Sequence, residues 1–180
     1  MHEKRFEGAP DRLRSPDRVA RLEVDRVIGL CLEGRQFNSA LDVGTGSGLF
    51  AESFFNHGLE VSGVDANPEM LVAARQAVPA GDFREAVAEA LPYPEDSFDL
   101  VFLGLVLHES DEPLKALQQA RRVARLRVAI LEWPYREESL GPPLAHRLNP
   151  DDLVSLFQKA GFRKWNLIGL SNTVFYQLEV

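Results

Sequence analysis

Leu41-Asp42-Val43-Gly44-Thr45-Gly46-Ser47-Gly48-Leu49-Phe50 decides how this chain folds. A short apolar run passes into three alternating glycines and then directly into a helical segment. Glycine lets the backbone turn tightly and removes the Cβ that would hold a ligand away. The N–H groups at the helix start, with the helix dipole behind them, are expected to be open to an anionic group. Further on, Val61-Ser62-Gly63-Val64-Asp65 reads as a second strand, ending in a carboxylate 21 residues after Gly44. In a doubly wound sheet the ends of the first two strands are neighbours, and a carboxylate there can accept both hydroxyls of a ribose. Asn67 before Pro68 already supplies a helix cap, which leaves Asp65 for that role.

The elements around these two strands alternate. Strand-like runs are expected at 40–43, 59–64, 83–87, 100–107 and 127–132, without the polar alternation of a half-solvated sheet. Ser15-Pro16, Asn67-Pro68 and Asn149-Pro150 each mark a helix start. The first helix is expected to run on through Val24, Val27, Ile28 and Cys31 to Gly34, and the third to stop at Gly161. Further helices are expected over 47–56 and after Pro113. The chain closes with strand-like runs at 164–168 and 173–180, a hairpin whose last strand alternates as if half buried. The fold class is therefore α/β: a Rossmann-like, doubly wound, mostly parallel sheet with a C-terminal antiparallel hairpin. At 180 residues it is expected to be one domain, 1–180, in which the helical segment 1–35 covers the active site.

Charge limits the partners. The net charge is −7, and residues 42–112 carry fourteen acidic side chains against Arg75 and Arg84. That acidic middle argues against a nucleic-acid surface and against a phosphate-rich ligand. The run from Arg121 to Arg127 reads as the wet face and cationic last turn of a helix. One cysteine, Cys31, closes no intrachain disulfide, and the start of the chain lacks an apolar signal core; a cytoplasmic protein without a membrane span is expected. The four histidines have no metal-ligand spacing, so no metal is expected. Leu49 stands where the dinucleotide fingerprint needs its third glycine, and no Gly-Lys pair exists for a Walker loop.

The segment Ala88-Glu89-Ala90-Leu91-Pro92-Tyr93, followed by Ser97-Phe98-Asp99-Leu100-Val101, narrows the choice of nucleotide. Taken in order with the glycine loop and Asp65, it resembles class I methyltransferases that use S-adenosylmethionine, of the small-molecule type often called methyltransferase 11. Resemblance is strong over about 37–132 and weaker through the last helix. It implies that Gly44, Gly46 and Gly48 lie along the methionine part of the cofactor, with Asp42 orienting its ammonium. It further implies Asp65 on the ribose, Ala66 and Met70 beside the adenine, Ala88 and Glu89 at the adenine edge, and Leu103 facing the methionine moiety. Val87 stands where many relatives have an aspartate, so one adenine contact differs.

Methyl transfer from a sulfonium needs alignment and, for a protonated acceptor, a base. His108 and Glu109 follow the fourth strand and are the candidates. Trp133, Tyr135, Arg136, His146 and Arg147 lie on the loop after the fifth strand and form a candidate substrate wall. The expected partner is a small-molecule acceptor; the oligomeric state is not legible. Two other readings stay open: a module that binds S-adenosylmethionine without turnover, and an NAD-dependent dehydrogenase.

Overall fold

A computed structural model describes residues 8–180. The helices are α1 (Pro16–Arg21), α2 (Val24–Leu32), α3 (Leu49–Asn56), α4 (Pro68–Ala77), α5 (Pro113–Val123) and α6 (Pro150–Lys159). The strands are β1 (Ser39–Val43), β2 (Glu60–Asp65), β3 (Asp82–Glu85), β4 (Phe98–Gly104), β5 (Ala124–Glu132), β6 (Lys164–Gly169) and β7 (Val174–Glu179). They form one seven-stranded sheet in the order β3-β2-β1-β4-β5-β7-β6. β1 to β5 pair in parallel, and β7 pairs antiparallel with both β5 and β6. The expected α/β class, parallel sheet and terminal hairpin are all present.

Strand alternation divides the core into two layers. Ala40, Leu100, Phe102, Ala129 and Phe175 pack with α2, α3 and α4 on one face. Leu41, Val101, Leu103, Ile130 and Tyr176 pack with α5 and α6 on the other. Successive residues of a strand point to opposite faces, so an uninterrupted apolar run feeds both layers.

Three expectations are corrected. The first helix is not continuous: Glu23 takes a left-handed φ of +48° between α1 and α2. Tertiary bonds hold that break, because Glu23 Oε2 accepts from Ser171 N at 2.8 Å and the Arg21 carbonyl accepts from Asn172 Nδ2 at 3.3 Å. Second, β7 is not half buried. Phe175, Tyr176, Gln177 and Leu178 are all buried, because β7 lies between β5 and β6 and both its faces are covered. Third, the basic run is split between two elements. α5 ends at Val123 and β5 begins at Ala124, so Arg125 and Arg127 are strand residues. Arg127 is 4% exposed. Its Nη1 donates to the Cys31 and Glu33 carbonyls, each at 2.9 Å, and so satisfies the end of α2. Among the described residues, no helix is long and apolar enough to cross a membrane.

Candidate active site

The chain winds outward in both directions from β1 and β4, which makes their carboxyl ends a topological switch point. A cavity of about 790 Å³ opens there, a size suited to drug-sized ligands (about 300–1,000 Å³). One end is lined by Gly44, Gly46, Asp65, Ala66 and Met70, with Ala88 and Glu89 beside them. His108, Glu109 and Trp133 line the cavity as well.

The glycine loop is held by internal bonds. Gly44 N and Thr45 N both donate to the Val64 carbonyl, at 2.8 and 2.9 Å, and Gly48 N donates to Thr45 O at 2.9 Å. Gly46 N donates to Asp65 Oδ2 at 2.8 Å. These four loop N–H groups are therefore engaged within the protein. What the loop provides is shape. Gly44 has φ +69°, and a Cβ there would lie 2.5 Å from Val106 Cγ2. Only glycine allows β1 to close against Val106. Asp65 receives Asn67 N on its other oxygen at 2.8 Å, so both oxygens are tied to backbone and the carboxylate plane is fixed.

Gly48, Asp42 and Leu103, also singled out in the sequence, do not line the cavity. Gly48 lies behind the loop, where a Cβ would sit 2.9 Å from Ala74 Cα; it brings α3 and α4 together. Asp42 is 2% exposed and does not line the cavity. It accepts from Thr45 Oγ1 at 2.8 Å, and burial pushes its carboxyl pKa up to about 7 against the pull of that bond. Leu103 belongs to the α5–α6 layer, since alternation turns it away from the site; Gly104, Leu105 and Val106 line the cavity instead. Glu89 accepts from Ser110 Oγ and from Asp111 N at 2.9 Å, which fastens the approach to α5. Burial opposes its ionisation, but these donors outweigh burial and hold its pKa below the ordinary value.

Of the proposed substrate wall, Trp133 alone lines the cavity. Tyr135 is 45% exposed, Arg136 pairs with Glu138 at 2.7 Å, and His146 sits on a short turn away from the cavity. Arg147 is buried and donates to the carbonyls of Pro142, Pro134 and Leu140 at 2.9, 3.0 and 2.6 Å. It is the organiser of its loop: the carbonyls around it hold its guanidinium, and its ring contact with Trp133 is 5.8 Å.

His108 sits after β4, where Leu105 takes a left-handed φ of +59°. For a bulky residue that conformation is strained, typically by about 1–3 kcal/mol, and it turns the chain towards the site. His108 Nδ1 lies 2.9 Å from Glu132 Oε2, and His108 N donates to Glu132 Oε1 at 3.1 Å. With Glu132 taking the Nδ1 proton, Nε2 is the basic position of the ring. Burial lowers the imidazole pKa, but the charge and hydrogen bond of Glu132 outweigh it, and the net value lies above the ordinary 6.5. The sequence reading missed Glu132 because it lies 24 residues away and meets His108 only through β4–β5 pairing.

The cavity also receives Arg12, Arg18 and Arg21, likewise missed from sequence. Arg18 and Arg21 are three apart on α1 and share a helical face; nearby acidic residues concealed them in the net charge. Leu13 lies over Gly46, and Arg14 donates to the Ser47 carbonyl at 3.0 Å and pairs with Glu52, so the N-terminal segment is fastened over the loop.

A family model described as "Methyltransferase domain" matches residues 41–129. An uncharacterized methyltransferase of Bacillus subtilis is 28% identical over 152 residues, covering 81% of this chain and 60% of that protein. A demethylmenaquinone methyltransferase of Chlorobaculum parvum is 34% identical over 95 residues, covering 52% of this chain and 39% of that protein. The chain thus spans about two fifths to three fifths of the length of these relatives. The crystal structure of a SAM-dependent methyltransferase from Aquifex aeolicus superposes with a TM-score of 0.82 at 22% identity, covering 97% of this chain and 99% of that one. At that identity the likeness concerns the fold.

Proposed function

Because residues 41–129 match the methyltransferase-domain family model, we propose that this chain transfers a methyl group from S-adenosylmethionine to a small-molecule acceptor. The observation that carries the proposal is the meeting of Gly44, Gly46 and the Asp65 carboxylate on one cavity that extends to His108. The residues present fit the cofactor: the glycine turn of Gly44 and Gly46 on the cavity wall, a fixed carboxylate at Asp65, and apolar walls from Met70 and Ala88. Asp65, Glu89 and Glu109 on the cavity wall suit the cationic sulfonium and ammonium of the cofactor. One relative is named for a small molecule, demethylmenaquinone, which supports a small acceptor here.

In this assignment Asp65 takes the ribose, Ala66 and Met70 flank the adenine, and Ala88 and Glu89 close its edge. The chemistry supplied by S-adenosylmethionine, when bound, is a methyl group already activated on a sulfonium. The chain's own part is to align the acceptor, exclude water and, for a protonated acceptor, remove a proton. Trp133 and the Arg147-braced loop shield the site. His108 Nε2 accepts the acceptor's proton, and Glu132 is a positioning residue that holds Nδ1 and stabilises the imidazolium so formed.

Titration calorimetry with S-adenosylhomocysteine tests the assignment. The chain is expected to bind it, and Asp65→Ala to weaken binding about 10–100-fold, the loss for hydrogen bonds to a charged group. Absence of any binding by the unaltered chain overturns the assignment. Release of S-adenosylhomocysteine from S-adenosylmethionine across a panel of acceptors then separates an enzyme from a module that only binds.

A further inference from the structure

The cavity has charged and aromatic lining residues that the cofactor roles leave unused. α1 is fastened to the turn between β6 and β7 through Arg21 O, Glu23 and the Ser171–Asn172 pair. That turn leads into Val174, which pairs with Glu132 at the carboxyl end of β5. α1 thus runs from the glycine loop, where Arg14 holds the Ser47 carbonyl, to this turn near the end of β5, and Arg18 and Arg21 enter the cavity along that path.

These two arginines differ from most others in the molecule. Arg14, Arg84, Arg125, Arg127 and Arg147 each have a carboxylate within ion-pair distance. Among the described residues, Arg18 and Arg21 have none, and Arg18 Nε is buried without a hydrogen-bond partner. Two like charges on one helical face repel each other, and burying them is costly without an opposing charge. Burial and Arg21 both push the Arg18 pKa down, against the pull of Glu109. Leu105, Trp133 and Pro142 line the same cavity and supply apolar surface.

We propose that Arg18 and Arg21 form an anion-recognition subsite for the methyl acceptor, which is a small organic acid: an apolar body against Trp133, Leu105 and Pro142, with its carboxylate or phosphate on the two guanidiniums. The proposal rests on the methyltransferase assignment and adds the acceptor class to it. An oxyanion on a guanidinium fork forms the stronger, charge-assisted kind of hydrogen bond and offsets the Arg18–Arg21 repulsion.

Calorimetry on the intact chain, with and without saturating S-adenosylhomocysteine, tests it with benzoate, phenyl phosphate and benzamide as probes. At least one acid is expected to bind about ten-fold or more tighter than neutral benzamide, and the tighter acid identifies the head group. Arg18→Gln and Arg21→Gln are each expected to remove that preference while changing S-adenosylhomocysteine affinity less than about three-fold, which also shows that the variants fold. Equal binding of acid and amide, or no binding of either acid, overturns the proposal. So does a loss of about ten-fold or more in S-adenosylhomocysteine affinity in Arg18→Gln, which would assign that arginine to the cofactor's carboxylate. Failure of the unaltered chain to bind S-adenosylhomocysteine sinks the methyltransferase assignment instead, and the arm without it still decides the anion subsite.

Discussion

Asp42 and His108 are both buried, and both have pKa values raised above the ordinary range, so each makes folding depend on pH in the same direction. For Asp42, the folded chain holds a proton that the unfolded chain has already released, between the ordinary value of 3.8 and about 7. Stability is therefore lost as pH rises through that window. Asp42→Asn is expected to remove about 2–4 kcal/mol of the fall in unfolding free energy between about pH 4 and pH 8, read from denaturant titrations across pH. An unchanged slope in that variant would show that Asp42 is not held protonated. At His108 the consequence is kinetic. The imidazole must be neutral to act as a base, so its rising limb in the pH–rate profile is expected above 6.5, the ordinary value. Glu132→Gln is expected to move that limb to lower pH, and His108→Ala to lower kcat by about 10²–10⁴-fold for an acceptor that must lose a proton. A limb that stays in place in Glu132→Gln would remove Glu132 from the mechanism.

Where elements meet, one small residue or one charge often carries the contact. Gly48, with φ +79°, starts α3 and lets it approach the α4 backbone at Ala74. Gly48→Ala is expected to cost about 2–4 kcal/mol of stability, from left-handed strain plus overpacking, measurable by chemical unfolding. Arg127 joins β5 to the end of α2 and to Glu179. Arg127→Met is expected to cost about 3 kcal/mol, because it leaves two carbonyls without their donor and takes the cation from Glu179. Helix starts were legible where a side chain caps them: Asn67 accepts from Glu69 N and Asn149 from Asp151 N, each at 2.9 Å. The boundary between α5 and β5 was not, because α5 passes directly into β5 at Val123–Ala124 and no glycine or proline stands near it to mark the change.

For the whole molecule, ligand binding and stability are linked: S-adenosylhomocysteine at about 100 times its Kd is expected to add about 2.7 kcal/mol and raise Tm by about 5–10 °C. Differential scanning fluorimetry reads that shift directly, and its absence would contradict a site preformed in the folded chain. The sequence alone determined the parallel sheet, the glycine turn after β1 and the carboxylate ending β2. Those signals are local: apolar periodicity, glycine conformation and capping act over a few residues. Tertiary structure alone decided which charges meet. Glu132 reaches His108 by strand pairing, Arg127 reaches the end of α2 from 94 to 96 residues away, and Arg18 and Arg21 enter the cavity because the β6–β7 turn holds α1 against the sheet. Long side chains find their partners only after the backbone has closed, because desolvation and hydrogen bonding act across space and leave no periodic trace along the chain.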